Sequence, residues 1–203
     1  MKENIVYSLI NYIFNNSKIF NNFRNIVHSN FKDEKYMISK NVEKNKITLD
    51  FGCGAGQFSD LFNSNKYYGI DTDVNYINFC KKNHRGNFLK INYSPPYNLK
   101  SGYFDQILIS SVIHHINDNN LLLILKELKR ILNKKGKLIL IDHFTKKNQK
   151  NIFCKFLIDL DRGNYFRDLN ESIKLFSGDF KVEKTELFRN SVYNDYLIIL
   201  SKK

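Results

Sequence analysis

The sequence predicts an α/β fold built on a largely parallel sheet, and three observations predict it. Short apolar runs alternate with stretches whose apolar residues recur at helical spacing. One such run, Ile47–Phe51, passes directly into a turn with glycine at alternate positions, Gly52, Gly54 and Gly56, and the next run, Tyr67–Ile70, ends on Asp71. At 203 residues and 42% hydrophobic, the chain suits one globular domain, alone or with a small cap.

The glycine stretch organises the rest. A strand, a glycine turn, a helical segment from about Gln57 and a second strand closed by a carboxylate form a nucleotide-binding half-unit. Glycine lets the backbone turn sharply and approach a ligand with no Cβ in the way. Asp71 lies 19 positions after Gly52 (71 − 52), near the spacing of roughly 20 at which an acid meets ribose hydroxyls. Asp71 would otherwise cap the next helix, Val74–Lys82, but Asp73 directly precedes that helix and suits the cap better.

In chain order, residues 4–28 carry Ile5, Leu9, Ile13, Phe20, Phe23, Ile26 and Val27 at helical spacing. They read as one or two amphipathic helices forming a cap over residues 1–46, ahead of a main domain over 47–203. Phe31 and Tyr36 fall in a linker from which they could reach a ligand. Asp50 sits at the carboxyl end of the first strand, where ligands collect in an open α/β sheet, or else serves the turn. Phe88–Ile91 is the third strand, followed by Asn92. Tyr103–Ser110 is the fourth, and His114-His115 follow it at the sheet's carboxyl edge. One imidazole there can take a proton near neutral pH, or one can pack while the other caps the helix Asp118–Leu132. Asn133–Gly136 reads as a turn with Gly136 left-handed, and Leu138–Ile141 as a fifth strand ending on Asp142, taken as scaffold. His143–Asp179 is longer than a crossover requires and holds Arg162, Tyr165 and Arg167 among aromatics and acids. These arginines either grip an acidic group or pair internally with Asp161 or Asp168. Phe180–Leu187 and Tyr193–Ser201 are the last strands.

The glycine spacing is G-x-G-x-G after Leu49-Asp50, not the G-x-G-x-x-G of dinucleotide folds. With Gly69-Ile70-Asp71, Phe104-Asp105-Gln106-Ile107-Leu108-Ile109-Ser110 and the segment LKRILNKKGKLILID, it resembles, in order, the motifs of the class I S-adenosylmethionine-dependent methyltransferases, small-molecule type. The resemblance runs from about Ile47 to Asp142. It implies a three-layer sandwich whose seven-stranded sheet is mostly parallel with the last strand antiparallel. It implies S-adenosylmethionine as cofactor, S-adenosylhomocysteine as product and direct in-line displacement at the sulfonium methyl. Gly52, Gly54, Gly56, Asp71 and Ser110 would then bind cofactor, with Asp50 near its amino group. Asn92 stands where the family often has Asp against the adenine amine, a departure that keeps one acceptor oxygen. His114 and His115 become the catalytic candidates, and Arg162, Tyr165 and Arg167 the acceptor-side ones. Ser94-Pro95-Pro96-Tyr97 resembles a signature of adenine amino methyltransferases, but it precedes the fourth strand instead of following it, so it counts as a decoy.

Composition excludes several classes. Cys53, Cys80 and Cys154 form no CxxC pair, which argues against a zinc ribbon or a disulfide framework, and no metal-ligand cluster is evident. The net charge of +12 is scattered in ones and twos without a long basic run. Glu3, Asn4 and Asn11 interrupt any signal-peptide core, and no apolar run approaches a membrane span. The expectation is a cytoplasmic enzyme, monomer or homodimer, acting on a small-molecule acceptor without metal or membrane. An RNA or protein methyltransferase, or a non-catalytic cofactor-binding partner subunit, is the alternative.

Overall fold

The computed structural model describes residues 31–203 apart from 146, 148, 150–154, 156–157, 160–162 and 191–192. The amphipathic helices expected over residues 4–28 lie outside the described residues, as does Arg162. Seven strands form one sheet in the order β3-β2-β1-β4-β5-β7-β6. They are β1 (Thr48–Phe51), β2 (Tyr67–Asp71), β3 (Asn87–Lys90), β4 (Phe104–Ser110), β5 (Leu132–His143), β6 (Phe180–Arg189) and β7 (Asn194–Lys202). β1 to β5 pair in parallel, while β7 is antiparallel to both β5 and β6. This is the expected topology.

Helices cover both faces. Along β4, Ile107 and Ile109 face one side and Leu108 the other, because side chains alternate in a strand. On the first side they meet α3 (Asp118–Ile131), through Leu121, Ile124, Leu125 and Leu128, and α4 (Leu169–Phe176), through Phe176. On the second, Leu108, Ile139, Ile141 and Leu197 cluster with Met37 and Ile38 of α1 (Lys32–Asn41) and Ile77 and Cys80 of α2 (Val74–Asn83). Fully burying one such Leu or Ile contributes about 1.5–3 kcal/mol. No described helix is long and apolar enough to cross a membrane.

Four local expectations are corrected. The helix from Gln57 is absent; only the 3-10 turns Ser59–Leu61 and Ser64–Lys66 occur there. Ser59 Oγ donates to Gly56 O (2.8 Å), Asn63 N–H to Lys44 O (2.9 Å) and Asn65 N–H to the Asn63 side chain (3.0 Å). These local bonds compete with a helical ladder. The linker holding Phe31 and Tyr36 is instead the start of α1. Phe31 is left-handed (φ 58°) and buried edge-on against Phe58, while Tyr36 is exposed under Lys40. β5 begins at Leu132, with Asn133–Gly136 taken up as a wide irregularity between the pairs Phe104–Leu132 and Gln106–Lys137. Gly136 is not left-handed. It is needed because a Cβ there would stand 2.6 Å from Leu132 Cδ1 and 3.0 Å from Asp105 O. Finally, the cap of α3 is Asn117, accepting from Asn120 N–H, and not a histidine.

Candidate active site at the carboxyl edge of the sheet

The strand order reverses between β1 and β4, and parallel register aligns their ends. Phe51 pairs with Ile70 and Ile109, and Ser110 with Ile141. One step further, Asp71, Gly52, Ser110 and Asp142 therefore lie along a single edge, at the point where ligands bind in open α/β sheets.

The glycine turn is latched to β2. Gly52, Gly54 and Gly56 all have positive φ (76°, 51° and 77°). Gly54 N–H donates to Asp71 Oδ2 (2.9 Å), and Asp73 N–H donates to Asp71 Oδ1 (2.9 Å). Each carboxylate oxygen keeps a further lone pair. Burial pushes the Asp71 carboxyl up, and the Asp73 and Gly54 amides partly offset it. Asp73 caps α2 by accepting from Asn75 N–H (2.7 Å), the division of labour expected between the two acids. Gly52 is a close approach as well as a turn: a Cβ there would stand 2.5 Å from Val112 Cγ2. Gly52→Ala is expected to cost about 1–3 kcal/mol by strain and overpacking, read as a lower urea midpoint.

Asp50 lies near the end of β1, under the glycine turn. It is 1% exposed and accepts from Tyr67 Oη at 2.6 Å beneath the turn. Burial pushes its carboxyl up to about 7, against the Tyr67 bond and with help from Asp71. Ser110 is at the edge as expected, and its Oγ is buried with no hydrogen-bond partner. An orphaned hydroxyl here, beside a turn whose three glycines are left-handed, suits a ligand with polar groups. Asn92 is exposed just after β3.

The histidine pair sits on a 3-10 turn, Ile113–His115. His115 is exposed, while His114 is 2% exposed with Nδ1 2.6 Å from Asp142 Oδ1. Asp142 Oδ2 accepts from Ile113 N–H (3.0 Å) and Oδ1 from His143 N–H (2.8 Å). Burial raises the Asp142 carboxyl, but His114 and His143 outweigh it and hold it below the usual carboxylate range. Asp142 was expected to be scaffold. The signal missed is that it ends its strand at the same edge as Asp71 and Ser110.

The loop before α4 folds over this turn. Tyr165 N–H donates to His114 O (2.9 Å), and the Phe166 ring stacks on His114 at 4.8 Å and 7°. The Tyr165 side chain is exposed. Arg167 was expected to grip an acceptor or to pair with Asp161 or Asp168. It is 6% exposed, and all five of its N–H donors are used: Nη1 to Ile113 O and Tyr165 O, Nη2 to Ile116 O and Asp118, Nε to Asp118. Asp168 instead caps α4 in a reciprocal box with Glu171. Tyr97 of the SPPY stretch is buried against Phe51. Its N–H donates to Glu127, and Arg130 holds the carbonyls of Tyr97 and Leu99. No group of three or more potential metal ligands occurs among the described residues.

Residues 49–140 match the family model described as a methyltransferase domain. Over that stretch the chain is similar to methyltransferase domains. An uncharacterized protein of Methanocaldococcus jannaschii is 33% identical over 119 residues, 55% of this chain and 50% of its own. The ubiquinone biosynthesis O-methyltransferase of Pelagibacter ubique is 33% identical over 118 residues, 56% of this chain and 48% of its own. The chain thus spans about half the length of the curated relatives it matches. The methyltransferase fold extends further than the sequence likeness. The Synechocystis magnesium protoporphyrin IX methyltransferase, solved with S-adenosylhomocysteine, superposes with a TM-score of 0.66 at 14% identity, covering 97% of this chain and 100% of that one.

Proposed function

We propose that this protein transfers a methyl group from S-adenosylmethionine to a small-molecule acceptor at the β1–β4 carboxyl edge. The observation that carries the proposal is the latched turn: three left-handed glycines, one bonded to Asp71, beside the orphaned Ser110 hydroxyl. When bound, S-adenosylmethionine supplies an electrophilic methyl on sulfur. Asp71 would accept from the ribose hydroxyls, Gly52, Gly54 and Gly56 would admit the ligand to the backbone, and Ser110 would find its missing partner. Asn92 would accept from the adenine amine through its amide oxygen. Asp50 would act from below, through Tyr67 and the turn. His114 and His115 stand on the acceptor side with Tyr165, and the contribution to rate is chiefly alignment in a dry site. The proposal includes a cytoplasmic location and a monomeric or homodimeric state.

A small acceptor is favoured because the loop before α4 lays the Phe166 ring on His114 at the sheet edge. Tyr97, spent in the core, is not available to stack on a nucleic-acid base.

Titration calorimetry with S-adenosylmethionine and S-adenosylhomocysteine tests the cofactor half. Micromolar binding is expected, weakened about 100-fold or more in Asp71→Ala, because charge-assisted hydrogen bonds contribute about 1.5–3 kcal/mol each. Absence of binding in the wild type would reject the enzyme. Mass-gain screening of small molecules against RNA and protein then tests the acceptor half.

A further inference from the structure

We infer that the amino edge of the sheet, opposite the candidate active site, is a docking surface for the backbone of duplex RNA. The inference goes beyond the methyl-transfer proposal and stands without it. Parallel strands are all entered at the same edge, so charges scattered along the sequence are gathered there. The entries to β1, β2, β3, β4 and β5 are residues 43–46, 63–66, 81–87, 100–105 and 133–137. They hold ten lysines and arginines against two acids, Glu43 and Asp105, which places eight of the chain's net +12 on one edge.

The acids do not neutralise this edge. Glu43 is shared loosely between Lys46 (4.0 Å) and Lys137 (3.8 Å). Asp105 is turned inward and accepts from Ile47 N–H (2.9 Å) and Asn133 Nδ2 (2.6 Å). Lys44, Lys81, Lys82, Arg85, Lys134 and Lys135 are exposed and form no ion pair among the described residues. The segments that carry the cations are tied to one another. Asn63 N–H donates to Lys44 O (2.9 Å), Lys66 Nζ to Asn45 O (2.8 Å), and Asn87 Nδ2 to Tyr67 O (3.2 Å). Gly102 N–H donates to Arg130 O at the end of α3 (2.9 Å). The charges are therefore arranged before any partner arrives.

The size and chemistry of the edge select the occupant. From β3 to β5 there are four strand spacings, about 19 Å. That exceeds the Debye length of roughly 8–10 Å, so a small anion meets only part of the edge and a regular polyanion meets all of it. No exposed large apolar side chain lies in these segments, and a lipid surface held by charge without an apolar anchor is held weakly. A single strand needs exposed rings for stacking. Tyr103 is half-buried, with its hydroxyl bonded to that of Tyr68 (2.9 Å). Duplex RNA is recognised through phosphates and 2′-hydroxyls. The exposed amides of Asn45, Asn65, Asn83 and Asn87 stand among the cations and suit the latter. Phe104 and Ser110 mark opposite ends of β4, about 20 Å apart, so this surface is separate from the cofactor site.

The test is fluorescence anisotropy with a labelled RNA duplex of about 20 base pairs. Micromolar binding is expected at about 100 mM salt, with log K falling against log salt at a slope of about −4 to −6. Combining Lys81→Gln, Lys82→Gln, Arg85→Gln, Lys134→Gln and Lys135→Gln is expected to weaken binding about 30-fold or more and to reduce the slope by about three. Combining Lys32→Gln, Lys40→Gln, Lys90→Gln, Lys126→Gln and Lys174→Gln removes the same charge from other surfaces and is expected to weaken it less than about fivefold. All ten side chains are exposed, so both variants are expected to keep the wild-type urea midpoint and S-adenosylmethionine Kd. Equal losses in the two variants would assign binding to net charge alone and overturn the inference. Three wild-type results would overturn it without any variant: no binding at about 50 mM salt, tighter binding to the matching DNA duplex or single strand, and equal binding to polyglutamate or phosphatidylserine vesicles. Cofactor binding is measured separately, so failure here leaves the methyl-transfer proposal standing.

Discussion

Arg167→Met is expected to destabilise the protein by about 2–5 kcal/mol, the cost of leaving its main-chain carbonyl partners without a donor. The methionine fills much of the volume but leaves the carbonyls of Ile116 and Tyr165 without their guanidinium donor, while Ile113 O keeps only the Ile116 N–H. Each unsatisfied buried carbonyl costs roughly 1–3 kcal/mol. The Asp118 pair adds little, because that carboxylate is 63% exposed and screened by water. Arg167→Lys is expected to recover less than half of the loss, since three donors at one point do not reproduce a planar fork of five. Urea unfolding at constant slope measures both variants. The functional signature separates a brace from an acceptor ligand. A brace lowers stability and kcat together through the turn that holds His114. A residue gripping substrate raises the acceptor KM and leaves the urea midpoint unchanged, and that result would show the guanidinium to be free in solution.

Asp50→Asn is expected to reshape the pH dependence of stability. The folded carboxyl titrates at about 7, raised chiefly by burial, while an unfolded Asp titrates near ~3.9. Between these values the folded state binds more protons than the unfolded state, so unfolding free energy falls as pH rises. The contribution is fully present below about pH 4 and is lost on passing through about pH 7. A gap of about three units corresponds to at most on the order of 4 kcal/mol. Asparagine carries no charge and its amide oxygen still accepts from Tyr67, so the variant should gain on the wild type from pH 5 to about pH 7 and level off above it. Parallel urea titrations across that range check it. A constant difference between the two proteins at every pH would mean that Asp50 does not change ionisation there.

The sequence by itself determined the order of the elements and the identity of the edge. Apolar runs too short for helices, glycines at alternate positions and an acid closing β2 are local signals. Local chemistry favours them: glycine adopts the three left-handed positions without strain, and Asp73 is adjacent to the helix it caps. Hence the sheet, Asp71, Ser110 and the histidine turn were all legible. The motifs that marked Ile47–Asp142 also gave the correct topology, including the antiparallel β7.

The tertiary structure alone decided what those side chains touch. The helix after Gln57 failed because Ser59 and Asn63 bond to their own neighbourhood and to Lys44, which periodicity does not register. Gly136 was needed for a close approach to Leu132 and Asp105, not for a left-handed turn, and only the packed strands reveal that. Arg167 looked like a ligand for an anion because an arginine among aromatics in a long loop has no local partner. Its partners are carbonyls some fifty residues away, at Ile113 and Ile116. Asp142 looked like scaffold for the same reason: its partner His114 is 28 positions distant and becomes a neighbour only when β5 lies beside β4. Backbone conformation is written in adjacent residues. The pairing of buried charges is set by which strands the sheet brings together.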